Sequence, residues 1–362
     1  MEYVPDTLEI SFFKNYNTEI IISIIIVIVT GIVCFFMNRS SSSKQKIPKI
    51  IWIYWHEPIE KAPEIVQICI NIVKKLNYDY EINILNQYTY KNFVNDNSII
   101  NIMDGNLQNN FKSDLLRLYL VYTYGGIYMD ASILPFQSYD WISDKLDNSN
   151  KEVFMYKNVH HTTKYTEPVF ETWLIASVKE NSIIKLLMDT FYNSLINGVE
   201  KSYYEYINNN TNYQNFYNSR IKHSPYHLIY FVMIHTLSKN NLHNKIDYLD
   251  CRYDKYPCNT FHNNENLKDL FLKEYSETEY LEIVKNNKFV KLVGTNREYI
   301  IKNNIKYKKN SLIDHLLNFY NTYNGDKWNN YRIGDIIKGY IYCRYINCCL
   351  LYTSDAADEE DS

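Results

Sequence analysis

Between Lys112 and Ser132 the chain reads KSDLLRLYLVYTYGGIYMDAS, which sets a charged Asp114/Arg117 pair, a glycine break, and then Asp130 and Ser132 within one short unit. Asp114 and Arg117 stand three residues apart, so on a helix they share a face, in the first turn of a segment otherwise apolar from Leu115 to Tyr124. A helix of that composition is a buried one. Gly125 and Gly126 follow where a left-handed cap needs a residue without a Cβ, and the chain then reverses into IYMDASI, which reads as a strand from Ile127 to Ile133. Alternation places Ile127, Met129 and Ala131 on one face and Tyr128, Asp130 and Ser132 on the other. A carboxylate is left near the strand's carboxyl end, the edge at which open α/β sheets bind ligands. Each residue also has an ordinary reading: Ser113 as an N-cap, Asp114 as a first-turn acid, Arg117 as its ion-pair partner and Asp130 as a turn former. The joint spacing is what points to a site.

That spacing resembles the core of the glycosyltransferase family 32 and capsular polysaccharide synthesis group, and of the glucosylating bacterial toxins related to them. Their pattern S-D-x-x-R, then G-G-x-Y/W-x-D-x-(D/S/T), is met by Ser113, Asp114, Arg117, Gly125, Gly126, Tyr128, Asp130 and Ser132. A second block, IPKIIWIYWHEPIEKAPEIVQICI from Ile47 to Ile70, is similar to the group's first strand and helix, and weaker similarity runs through EPVFETWLIAS and FVKLVGT to about Leu317. The resemblance implies a GT-A-like nucleotide-sugar-binding domain that moves a sugar from a nucleotide-sugar donor to a glycan or polysaccharide acceptor, with retention of anomeric configuration. It also implies roles. Asp114 and Arg117 would hold the transferred sugar; Trp52 would stack on the nucleotide base, its alternative being a core tryptophan; Tyr128 and Lys291 would line the donor site, Lys291 near the diphosphate; Glu171 and Trp173 would lie near the acceptor. Asp130 and Ser132 would hold a divalent cation, Mn²⁺ or Mg²⁺, that neutralises the departing diphosphate. Ser132 departs from the group's common second acid. Two other readings stay open, a carbohydrate-binding pseudo-enzyme and a toxin-like enzyme that glycosylates a protein.

The elements that must position these residues follow from periodicity. Lys49–Trp55 and Tyr80–Asn86 read as strands around a helix from Pro63 to Leu76; Glu152–Tyr156 and Phe170–Ala176 read as further strands; Ser182–Ile196 and Tyr226–Leu237 read as helices. Such alternation predicts an α/β fold with a mostly parallel sheet flanked by helices. The chain of 362 residues, 46% hydrophobic and 16% aromatic, is long enough for one large domain of this kind, and a net charge of −3 argues against a nucleic-acid partner.

Ahead of this domain the charge-free run Ile20–Met37 spans, at about 1.5 Å per residue, about 27 Å, which predicts a single transmembrane helix. Residues 1–19 form a short tail before it, 38–46 a polar stem, 47–325 the transferase domain, and 326–362 a C-terminal extension ending in an acidic tail whose composition predicts disorder. Arg39, Lys44, Lys46 and Lys49 follow the helix and would hold the domain on the cytoplasmic side, whereas the family resemblance implies a Golgi-type lumen. Of the seven cysteines, Cys251 and Cys258 are candidates to pair in an oxidising compartment, which spacing alone does not decide, and no C-x-x-C pair with a matching His set suggests zinc.

Overall fold

In Ile50–Tyr54 (β1), Ile51 and Ile53 enter one apolar cluster and Trp52 and Tyr54 enter another, so the strand is covered on both faces. The computed structural model describes residues 20, 22–30, 45–159, 161–209, 224–251 and 264–323. The chain divides into two units, Met1–Gln45 and Lys46–Ser362.

In the first unit, residues 22–30 are helical and Thr30 Oγ1 donates to the Ile26 carbonyl at 2.6 Å. Among the described residues no helix is long and apolar enough to cross a membrane. The rest of the predicted Ile20–Met37 span lies outside the described residues, as do the 326–362 extension and Cys258.

In the second unit β1 is followed by Glu64–Leu76 (α1), Glu81–Leu85 (β2), Asn97–Asp104 (α2), Asn109–Tyr124 (α3), Gly126–Asp130 (β3), Ile133–Pro135 (β4), Asp140–Asn148 (α4), Val153–Lys157 (β5) and Phe170–Ser177 (β6). Then come Ser182–Ile196 (α5), Val199–Asn209 (α6), Leu228–Lys239 (α7), Ile246–Asp250 (β7), Asn264–Leu272 (α8), Glu277–Asn286 (α9), Phe289–Lys291 (β8), Gly294–Lys302 (α10) and Leu312–Tyr323 (α11). The main sheet runs β2-β1-β3-β6-β5-β7, and a two-stranded ladder joins β4 to β8. Helix α1 covers one face of the sheet together with α4, while α3, α5 and α7 cover the other.

The expected α/β fold is present, its sheet mostly parallel and flanked by helices, with one strand, β6, running against the others. β1 runs parallel to β2 and β3, and β5 parallel to β7, but β6 is antiparallel to both β3 and β5. Among the described residues no helix separates β5 from β6. Without a crossover the chain can only return antiparallel. The predicted strand Ile127–Ile133 is also two strands. β3 ends at Asp130, the chain turns at Ala131–Ser132, and β4 leaves the main sheet to pair with β8, with Ile133 opposite Lys291.

The turn from α3 into β3 depends on both glycines. Gly125 has φ 72° and Gly126 φ 92°, and a Cβ on Gly126 would lie 2.5 Å from the Ile50 carbonyl oxygen of the neighbouring strand. Gly126→Ala is therefore expected to destabilise the fold by on the order of 2–3 kcal/mol. Thermal denaturation reads this directly, and an unshifted melting temperature would contradict it.

Candidate active site

Helix α3 starts a turn earlier than periodicity predicts, at Asn109, which places Ser113 and Asp114 inside the helix. This removes the N-cap reading of Ser113, whose hydroxyl instead lies 3.1 Å from the Tyr128 hydroxyl and accepts from Arg117 at 3.0 Å. Leu115, Leu116, Leu118, Leu120 and Val121 bury the helix against the sheet and α5. The residual polar positions, Asp114 and Arg117, end up above the carboxyl end of β3, where Asp130 stands opposite Tyr54 of β1.

Arg117 joins three elements. Its guanidinium donates to Thr172 Oγ1 on β6 at 2.8 Å and to the Ser113 carbonyl at 3.3 Å, and lies 4.8 Å from the Tyr128 ring centre. It also pairs with Asp114 Oδ1 at 3.3 Å and Asp130 Oδ1 at 3.5 Å. The other Asp130 oxygen accepts from the Lys291 ammonium, which also reaches Ser132 Oγ at 3.3 Å. Arg297, from α10, donates to Ser132 Oγ at 3.0 Å and to the Leu292 carbonyl at 2.9 Å. Its guanidinium sits 5.9 Å from the Trp55 ring centre.

The electrostatics separate the two carboxylates. Burial of Asp114 outweighs the neighbouring guanidinium and, with Asp130 adding to the effect, pushes it up to about 6. Burial acts on Asp130 in the same sense, but Lys291, Arg117 and Arg297 together hold it below the usual carboxylate range. Burial lowers the Lys291 ammonium, against the pull of Asp130. The Asp130 side chain is 27% exposed, against 8% for Arg117 and 9% for Asp114 and Lys291, so Asp130 marks the face a ligand can reach. Nearby on β6, Glu171 is buried and accepts from Asn158 Nδ2 and the Tyr230 hydroxyl, each at 2.6 Å; burial pushes its carboxyl up.

Asp114, Arg117, Asp130, Ser132 and Lys291, nominated from sequence, are thus brought together. Trp52 and Trp173 are packed into the core, and Tyr128 lies beneath the cluster. Trp52 is 1% exposed, its indole donates to the Gly125 carbonyl at 2.9 Å, and Phe93 and Tyr124 cover its ring, which takes up the face expected to stack on a base. Tyr128 is fully buried and holds Ser113 and Arg117 instead of facing a ligand. Trp173 stacks on Tyr156 at 5.0 Å within the core. Arg297 and Thr172 were missed. Arg297 lies two residues beyond the FVKLVGT segment, and Thr172 sits inside the EPVFETWLIAS segment beside the more conspicuous Glu171.

Asp130 and Ser132, the expected cation ligands, are already engaged by protein cations. Both oxygens of Asp130 face such groups, and Ser132 Oγ lies within reach of both Lys291 and Arg297. Among the described residues no three His, Cys, Asp or Glu side chains come together in a metal-binding group. Arg117, Lys291 and Arg297 crowd round Asp114 and Asp130, with Glu171 farther off but still coupled to Lys291. As arranged, these residues do not fit a divalent cation, which requires uncommitted oxygen donors and negative surroundings.

The family described as capsular polysaccharide synthesis protein matches residues 4–316. "O-glycosyltransferase braB" of Annulohypoxylon truncatum is 28% identical over 155 residues, covering 40% of this chain; the chain spans 37% of that relative's length. Similar solved structures include "PaToxG Glycosyltransferase", with 17% identity, TM-score 0.34, and coverage of 60% of this chain and 80% of that one. A glycosyltransferase involved in the glycosylation of the major capsid of PBCV-1 has 11% identity, TM-score 0.35, and coverage of 71% and 98%.

Proposed function

We propose, from the premise that this chain belongs to the capsular polysaccharide synthesis protein family, that it is a glycosyltransferase acting on a nucleotide-sugar donor and a glycan or polysaccharide acceptor. The observation that carries the reading is the Asp114–Arg117–Asp130 cluster at the carboxyl edge of the parallel strands β1 and β3. Such an edge is where open α/β sheets take ligands, and a guanidinium between two carboxylates suits a ligand that is part polyol and part phosphate. The transferred sugar sits against Asp114, which accepts from its hydroxyls, and the diphosphate lies toward the cationic side of Asp130. Transfer proceeds with retention of anomeric configuration, as in the family that the sequence resembles. The run Ile20–Met37 anchors the enzyme in a membrane as a single span.

The purified full chain, incubated with a panel of nucleotide sugars and glycan acceptors, is expected to release nucleoside diphosphate and form a glycosidic product. Failure with every common donor would sink the reading. A pseudo-enzyme that binds sugar without turnover is the second possibility, favoured by Ser132 standing where a second acid is common. Sugar binding without diphosphate release identifies it.

The pH profile supplies a further check. Asp114 titrates at about 6, raised by burial, so the carboxylate that accepts sugar hydroxyls is present above that value and lost as pH falls through it. Below pH 6, kcat/KM is expected to fall about tenfold per unit. In Asp114→Asn this limb is expected to vanish along with most of the activity; its persistence would assign it to another group.

A further inference from the structure

We infer that Lys291 and Arg297 form a built-in counter-cation for the donor's diphosphate, in the place where a bound metal ion would otherwise sit. This rests on the nucleotide-sugar reading above and deepens it. The register of the β4–β8 ladder sets Lys291 opposite Ile133, and Leu292 N donates to the Ser132 carbonyl at 2.9 Å, so the ammonium is fixed beside Asp130 by backbone pairing. Arg297 is fixed independently, by the Leu292 carbonyl at 2.9 Å and by the Trp55 ring, leaving its planar fork beside Ser132. Lys291, itself buried, thus stands directly behind the partly exposed Asp130, and Arg297 stands half-buried beside Ser132, before any ligand arrives.

Asp114 and Asp130 pair closely with Arg117 and Lys291, whereas Arg297 has no described carboxylate within ion-pair distance and acts on Asp130 only from farther off. A diphosphate supplies the close negative charge that Arg297 lacks, and a guanidinium offers it two parallel donors where an ammonium offers a point charge. In the transfer step the bond from the anomeric carbon to the β-phosphate oxygen breaks, and both electrons go to that oxygen. The acceptor hydroxyl oxygen bonds to the anomeric carbon, and its proton passes to the released diphosphate. Charge develops on the leaving oxygen, where fixed cations stabilise it without reorganisation.

Equilibrium binding of UDP and GDP to the purified full chain tests this, in EDTA and again with added Mn²⁺, beside a donor-turnover assay. The expected result is binding of at least one diphosphate in EDTA, with Mn²⁺ changing its affinity less than about threefold. Lys291→Gln is expected to weaken it roughly 10- to 100-fold and Lys291→Arg to restore most of the loss. Circular dichroism confirms that each variant folds; should Lys291→Gln fail, Arg297→Gln carries the same expectation. Binding that requires Mn²⁺, or that is indifferent to both substitutions, overturns the inference and leaves the glycosyltransferase reading standing. Turnover of no donor and binding of neither diphosphate under any condition overturns that reading and the inference with it.

Discussion

Asp130→Asn is expected to lower kcat by about 10²- to 10³-fold while leaving the donor KM unchanged or reduced. The carboxylate stands between Arg117 on one oxygen and Lys291 on the other, and its charge offsets the repulsion between these two cations. Asparagine keeps the shape and loses the charge. The cluster then becomes more positive, so the diphosphate ground state is held at least as tightly, but the two cations repel and lose their alignment with the bond that breaks. Displacement of about 1 Å is enough to cost about 10² in rate. Steady-state kinetics separate the two effects. A loss confined to KM would show that Asp130 merely contributes affinity, and unchanged turnover would remove it from the site.

Arg117→Lys is expected to cost about 10² in kcat/KM and about 1–3 kcal/mol of stability, with the positive charge retained. The guanidinium bonds Thr172 on β6 and Ser113 on α3, lies over the Tyr128 ring of β3, and faces both Asp114 and Asp130. A lysine can meet one or two of these partners but not all of them. Arg117→Ala leaves Asp114 buried beside no cation and is expected to cost about 3–5 kcal/mol, which makes the lysine variant the more informative for chemistry. Urea denaturation and donor turnover, measured on the same preparation, check both parts. Wild-type turnover in the lysine variant would mean that charge alone suffices and that the fork plays no part.

The local elements were largely legible in the sequence because they are written in short-range periodicity. The α1 helix begins one residue after its predicted start, α5 has the bounds that its apolar spacing predicts, and the paired glycines mark the end of α3. The charged residues nominated from S-D-x-x-R and D-x-S do converge, because a helix and the strand after it fix them within one short unit. What stayed hidden depends on distant pairing. The antiparallel course of β6 is decided by its helix-free return from β5, which strand composition does not encode. Lys291 meets Asp130 across 161 residues, and Arg297 meets Ser132 across 165, so no local pattern could place either cation against its partner. Trp52 illustrates a different limit. An indole in an apolar strand suits both a base and a core, and only the positions of Phe93 and Tyr124 decide between them.

The β4–β8 ladder also bears on how the protein is made. β1, β2, α3 and β3 are all synthesised before the midpoint of the chain, yet the cluster lacks two of its cations until β8 and α10 have left the ribosome and docked. A nascent or prematurely terminated chain ending before Phe289 would hold the central strands but leave Asp130 and Ser132 without their late partners. On the counter-cation reading, competence to act thus arrives in one late step, after the central strands are already made.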